Sequence, residues 1–206
     1  MKKILSRVRT ALGCVALITT GVAYAGTDDI EFPDITPSST IPSCEVGTCG
    51  KLVWPISELA DGIIADGPPF NGFAGLTGSL GTISLDLAGD FDIDAFYLWN
   101  DINIVNEGVR SFRLNFFDSA DSSVGSSGTL SAVSKFAANE YTFASAFRRV
   151  SRVDMVILGV SGRVEIREIG FAGAVSAPIP EPGLPAMFGI GLAAVALLAR
   201  RTAGET

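Results

Sequence analysis

The chain has no histidine in 206 residues, only three cysteines, and charged side chains at just 18% of positions. Without imidazole there is no Ser-His-Asp or Cys-His catalysis, no His-ligated zinc and no imidazole general base. Lys and Arg number 15 against 22 Asp and Glu, a net charge of −7. That balance argues against a nucleic-acid partner, because a phosphate-binding surface must present clustered cations. Internal repeats are lacking as well, and the length allows one domain or two small ones. What the chain has in excess is apolar residues, 48% of the total with a mean hydropathy of +0.40. With so little charge elsewhere, that excess must be concentrated in particular segments.

Two such segments stand at the ends. Lys2, Lys3, Arg7 and Arg9 precede an apolar run from Ala11 to Ala23, followed by Ala23-Tyr24-Ala25. A basic start, a short apolar stretch and small residues at the cleavage positions predict a signal peptide over residues 1–25. The run is too short to span a ~30 Å hydrocarbon core. Cys14 does not make a lipoprotein box, since only Ala11 and Leu12 separate Gly13 from the basic region. The second run, residues 183–199, carries no charge and is followed by Arg200 and Arg201 in a short tail, residues 200–206. As a helix it would rise about 26 Å, enough for a transmembrane segment. Both runs are basic on the side away from the middle of the chain. The positive-inside bias therefore places both ends in the cytoplasm and everything between them outside the inner membrane.

Residues 175–182 form a Pro-rich linker ending in Pro180-Glu181-Pro182. Such a stretch is stiff, extended and open to a processing protease. Pro-Glu-Pro, then a short apolar segment, then Arg-Arg near the chain end resembles the PEP-CTERM sorting signal of Gram-negative bacteria, over residues 178–201. The resemblance implies an exosortase-type processing enzyme, transient anchoring in the inner membrane, and delivery to the cell surface or to exopolysaccharide.

Removing both ends changes the charge. Residues 26–179 keep 20 acidic and 9 basic residues, a net charge of −11. An acidic body suits solubility and divalent cations better than polyanions. Cys44 and Cys49 are the cysteines left, and in an exported chain they are expected to close a small disulfide loop, since metal ligation would need further thiols or histidines. Residues 26–50, with Pro33, Pro37 and Pro42, read as an irregular lead-in.

From residue 51 the apolar period is two. Ile83, Leu85 and Leu87 alternate with Thr82, Ser84 and Asp86, and Phe112, Leu114 and Phe116 with Ser111, Arg113 and Asn115. Residues 93–100 are apolar on both faces, as in a central strand, and residues 118–128 read as a turn. Further strands are expected at 141–144, 153–158 and 164–171. Short strands without helix-length amphipathic runs predict an all-β fold, an antiparallel β-sandwich over residues 51–174. The ordered motifs Leu59-Ala60-Asp61-Gly62, Gly81 to Leu87, Ala95 to Asn100, Arg113 to Asp118 and Arg167-Glu168-Ile169-Gly170-Phe171 resemble a galactose-binding-like jelly roll, the discoidin or coagulation-factor C-domain type.

Glu168 lies on a face it shares with Ile166 and Val164, so its carboxylate needs a partner. The resemblance implies a structural Ca²⁺ between an early Asp-Gly loop and a late Glu, with Asp61, Asp66 and Glu168 as ligands; the rival reading turns Glu168 outward or pairs it with Arg148, Arg149 or Arg163. Asp90, Asp92 and Asp94 open like an EF-hand loop, but Ala95 stands where glycine must turn and Asp101 where glutamate is needed, so they read as a charged turn. Arg148, Arg149 and Arg152 are expected to pair with nearby acids. Trp54, Tyr97, Trp99, Tyr141, Phe70 and Phe73 are aromatics that could stack on a sugar. Phe70 and Phe73 sit in an evident loop, where binding residues concentrate, and are the expected ligand contacts. A carboxylate glycosidase is the catalytic rival, yet no acid stands in a signature of its own. The sequence reading is thus a non-catalytic surface or matrix protein associated with exopolysaccharide, against a purely structural matrix protein or a glycoside hydrolase.

Overall fold

The computed structural model describes residues 28–30, 34–44, 53–67, 71–102 and 107–178. The signal peptide, Cys49, Phe70, Pro180-Glu181-Pro182 and the apolar run 183–199 lie outside the described residues. Among the described residues no helix is long and apolar enough to cross a membrane.

Among the described residues eight strands form the fold: β1 (Asp28–Ile30), β2 (Ile35–Ser39), β3 (Phe73–Ala74), β4 (Thr82–Asn100), β5 (Gly108–Phe117), β6 (Ser123–Ser131), β7 (Asn139–Ser161) and β8 (Glu165–Val175). A short 3-10 helix spans Ile56–Ala60. All pairings are antiparallel, in the order β1-β8-β4-β7-β5-β6, with β2 added to β4 and β3 to β8.

The two longest strands give the sandwich its shape. β4 and β7 pair along nearly their whole length, from Thr82↔Val156 to Leu98↔Asn139, with register shifts between Asp86 and Ala95. Bulges bend a strand and disrupt its ladder locally, and here the paired ribbon folds over on itself. One half of β4 is bordered by β2, and the matching half of β7 by β5; the other half of β4 is bordered by β8. Two layers result, and rings from one layer meet rings from the other. Phe96 of β4 lies edge-on to Phe112 of β5 at 5.7 Å, and Phe116 stacks on Phe147 at 3.9 Å. Phe96, Phe112, Phe116 and Phe171 are fully buried with Ile83, Leu85, Ile93, Leu98 and Leu114. Alternation at period two supplies this inner face, as the sequence predicts.

The bend is held by charge. Arg149 takes a left-handed φ of 58°, costly for a side chain of its size. Its N–H donates to Asp92 Oδ1 at 3.0 Å and its guanidinium pairs with Asp90 at 3.1 Å. Arg152 pairs with Asp154 and Asp121. The Asp90-Asp92-Asp94 run is therefore a strand bend tied to arginine, as expected of a charged turn.

The structure corrects several sequence expectations. Residues 26–50 are not simply irregular: β1 and β2 join the sheet, and the loss of a donor at Pro37 is tolerated because β2 is an edge strand. The turn after β5 is shorter than 118–128, since Ser123 already starts β6. It closes on Asp118 Oδ1, which accepts from Ala120 and Ser122 N–H. The segments 141–144 and 153–158 belong to one strand, because a bulge bends β7 without ending it. Cys44 is fully buried and disulfide-bonded.

Candidate functional site

The end of the sandwich where β4 finishes and β8 begins gathers most of the unusual chemistry. Arg167 of β8 is 2% exposed, and each of its five N–H donors meets an oxygen. Nε donates to Asn100 O at 3.0 Å, Nη1 to Ala65 O at 3.3 Å and to Asp66 Oδ1 at 2.7 Å, and Nη2 to Lys135 O at 3.0 Å and Phe136 O at 2.8 Å. A guanidinium offers five donors in a rigid fork and has no spare acceptor. One side chain thus binds the end of β4, the 61–67 loop and the 132–138 loop to β8. The adjoining strand is close-packed too: a Cβ at Gly72, whose φ is 124°, would stand 2.2 Å from Ile166 O, so only glycine fits there.

Beside Arg167, Glu168 is fully buried. Its Oε2 accepts from Gly62 N–H and its Oε1 from Ile169 N–H, both at 2.9 Å. Burial pushes its pKa up to about 8, backbone hydrogen bonds from Ile169, Gly62 and Ile63 oppose that rise, and the neighbouring Asp61 charge adds to it. Asp61 accepts from Ile63 N–H at 2.9 Å and from Asn71 Nδ2 at 3.0 Å. The structure therefore brings Asp61 and Glu168 together but leaves Asp66 to Arg167, correcting the three-ligand set. Among the described residues Glu168 makes no ion pair, and no group of three His, Cys, Asp or Glu side chains could hold a metal ion. Asp61 and Glu168 are the carboxyl groups gathered at this turn, hard oxygen donors of the kind Ca²⁺ takes.

A close carboxyl pair lies nearby. Glu165 hydrogen-bonds Glu107, both are held by Arg163 at 3.4 and 2.8 Å, and the Asp101 charge is near. Burial first, then the Glu107 hydrogen bond and the Asp101 charge, push Glu165 up to about 8 against the pull of Arg163. The pair sits on its arginine and lines neither of the clefts described below.

The open concave surface is on the outer face of the layer formed by β4 and β8. Phe96 and Leu98 point into the core, so Tyr97 and Trp99 point out, both half-buried. Their rings are 6.1 Å apart and tilted by 38°. Opposite Tyr97 stand Gly170 on β8 and Glu140 on β7. With Ala137 and Ala138 as a wall and Ile30 and Phe171 at its base, this cleft encloses about 390 Å³, within the ~300–1,000 Å³ usual for ligand sites. Another cleft of about 500 Å³ runs between β6 and β7 along Ser126, Ser127, Tyr141 and Phe143.

Phe73, expected to meet a ligand, is instead 1% exposed and paired with Ile166 in β3. The chain resumes a strand where Asn-Gly signals a loop, which hides the ring. Tyr141 packs on Phe96 and Phe112, its hydroxyl donates to Ser131 O at 2.8 Å, and burial pushes its pKa up to about 12, so its ring is half-buried against the core and borders only the second cleft. Trp54 is partly buried, lines neither cleft, and its carbonyl accepts from Ala74 N–H. Arg167, which clamps this end of the sandwich, is the residue whose role sequence reasoning missed. Its signal was an arginine next to Glu168 in a run, Ile166 to Phe171, that is otherwise without charge.

No family model and no curated protein matches the chain. Solved structures do. The family 32 carbohydrate-binding module of Clostridium perfringens NanJ, in complex with galactose, is 15% identical with a TM-score of 0.55, covering 70% of this chain and 97% of that one. The C-terminal domain of a Bacteroides fragilis chitobiase is 19% identical at a TM-score of 0.57, covering 73% and 100%. An F5/8 type C domain from Bacteroides fragilis gives 10% and 0.55, covering 72% and 97%. The fold is a galactose-binding-like β-sandwich.

Proposed function

We propose that the protein is an exported, non-catalytic carbohydrate-binding module, sorted through its PEP-CTERM signal and associated at the cell surface or matrix with exopolysaccharide. One observation carries the binding part of this reading. Tyr97 and Trp99 hold two tilted rings outward over a cleft with a carboxylate on one side and a glycine on the other. Rings cover the C–H faces of sugars, and Glu140 accepts from hydroxyls. Several structures sharing the fold are named as carbohydrate modules, one in complex with galactose and one as a fucose binding module of Streptococcus pneumoniae. Export rests on the signal peptide, and sorting on Pro180-Glu181-Pro182 ahead of the apolar run.

Retention in affinity electrophoresis through soluble polysaccharide gels tests binding, and Trp99→Ala should weaken it by about tenfold, or about 1.4 kcal/mol. Unchanged retention with Trp99→Ala would move the site elsewhere. Retention by no polysaccharide would favour the purely structural rival. Intact-mass measurement on surface fractions tests sorting: the expected mass lacks the apolar run, and a tail still ending at Thr206 refutes processing.

A structural Ca²⁺ belongs to the same proposal, with Asp61 and Glu168 as its carboxylate ligands. Chelator should lower the thermal midpoint of the wild type by several degrees and leave Glu168→Gln unmoved. Equal shifts in both would remove Glu168 from the site.

A further inference from the structure

We propose that the Tyr97–Trp99 cleft takes an uncharged, linear polysaccharide along its length, by two consecutive sugar units, and not a single terminal sugar. This rests on the carbohydrate-binding reading above and assigns the ligand class of that site. Three observations carry it.

The first is the direction of the aromatic pair. Tyr97 and Trp99 are alternate residues of one strand, and two residues advance about 6.8 Å along it. Their ring centroids are 6.1 Å apart and the planes differ by 38°. They are therefore two stacking surfaces in line with β4, not one platform. A terminal sugar uses one of them. A chain lying along the strand uses both, with the twist between rings matched by a turn between successive units.

The second is the flank. Across the strand direction Tyr97 faces Gly170, which has no side chain, so the backbone of β8 leaves room for a chain beside the ring. On the other flank Glu140 is exposed and within reach of hydroxyls.

The third is charge. Ile30, Tyr97, Trp99, Ala137, Ala138 and Glu140 bring no cation to the cleft, and the exported body carries −11. A polymer bearing carboxylates or sulfates would meet Glu140 and a repelling field. Neutral pyranoses, whose apolar faces stack and whose hydroxyls donate, meet neither.

Isothermal titration of the exported protein with defined sugars reads the inference directly. The probes are galactose and glucose as single sugars, β-1,4-linked glucose and mannose oligomers of two to six units, the corresponding neutral polymers, and alginate as an acidic polymer. The expected result is binding to the neutral oligomers that strengthens by about tenfold or more from one unit to four and then levels off. Tyr97→Ala and Trp99→Ala should each lose about tenfold toward the tetramer, with unchanged far-UV dichroism, and Trp99→Phe should restore part of the loss. Alginate should bind at least tenfold more weakly than the neutral polymers, and Glu140→Gln should narrow that gap. A single sugar that binds as tightly as the tetramer, with Trp99 still required, overturns the two-unit inference and leaves the carbohydrate-binding reading intact. Preference for alginate overturns the charge selection in the same way. Binding by none of the probes, or binding indifferent to both aromatics, overturns the inference and the reading together.

Discussion

Replacing Arg167 by methionine is expected to lower the thermal midpoint by roughly 10 °C or more, the largest single effect in the molecule. A charge-assisted hydrogen bond is worth about 1.5–3 kcal/mol, and a buried acceptor left without a donor costs about 1–3 kcal/mol. Five such bonds converge here, and burial of the guanidinium offsets part of their sum. A net loss of about 3–5 kcal/mol is the expectation, comparable with breaking other buried charged contacts. In a domain of this size each kcal/mol moves the midpoint by about 2–4 °C. Arg167→Lys keeps the charge yet cannot reproduce the fork, so it should recover less than half the loss. Asp66→Asn should cost about 1 kcal/mol or less, because Asp66 is 65% exposed at its side chain. Calorimetry of the three variants decides the matter. If Asp66→Asn is as damaging as Arg167→Met, the ion pair and not the carbonyl clamp holds the end of the sandwich. The same clamp sets the cleft wall, since Lys135 and Phe136 precede Ala137 and Ala138.

The second large effect is on the pH dependence of stability. Glu165 is raised in the folded state from 4.5 to about 8. The folded protein therefore holds a proton that the unfolded chain releases. Its contribution is fully present below about 4.5 and falls as pH rises toward about 8. One such group makes a slope of at most about 1.4 kcal/mol per pH unit, so a loss on the order of 3 kcal/mol is expected between pH 5 and 8. Glu165→Gln removes the charge facing Glu107 and Asp101 while Arg163 keeps Glu107 at 2.8 Å. The variant should match the wild type near pH 5 and exceed it near pH 8. Urea unfolding of both across that range, with chelator throughout, isolates the difference. Parallel profiles would mean that Glu165 titrates normally in the folded state.

The β-sandwich was legible because its inner face is written at period two: Ile83, Leu85 and Leu87, then Phe112, Leu114 and Phe116, all became core. The bends were not legible, since nothing local in β4 or β7 distinguishes a bulged strand from two short ones. Proline at 37 read as a breaker, and only an edge position with its partner β4 makes it acceptable. At the site, the proximity of Asp61 and Glu168 was legible through resemblance. Phe73 failed because loop signals in Asn71-Gly72 describe the approach to a strand as well as a loop. Tyr97 and Trp99 were visible as apolar on both faces of a central strand, but which face stays open depends on Gly170 and Glu140, contributed from strands far along the chain.

The position of β8 has a consequence for the order in which the chain can mature. Among the described strands β8, the last in the chain order, is the only partner of β1 and β3 and a neighbour of β4, and it carries Arg167. Until residues 165–175 have arrived, the first strand has nothing to pair with and the loop clamp does not exist. A nascent chain lacking them presents open edges and an incomplete core, a state that threads through a narrow channel far more easily than a closed sandwich. The architecture thus delays its own completion until residues 165–175 are in place.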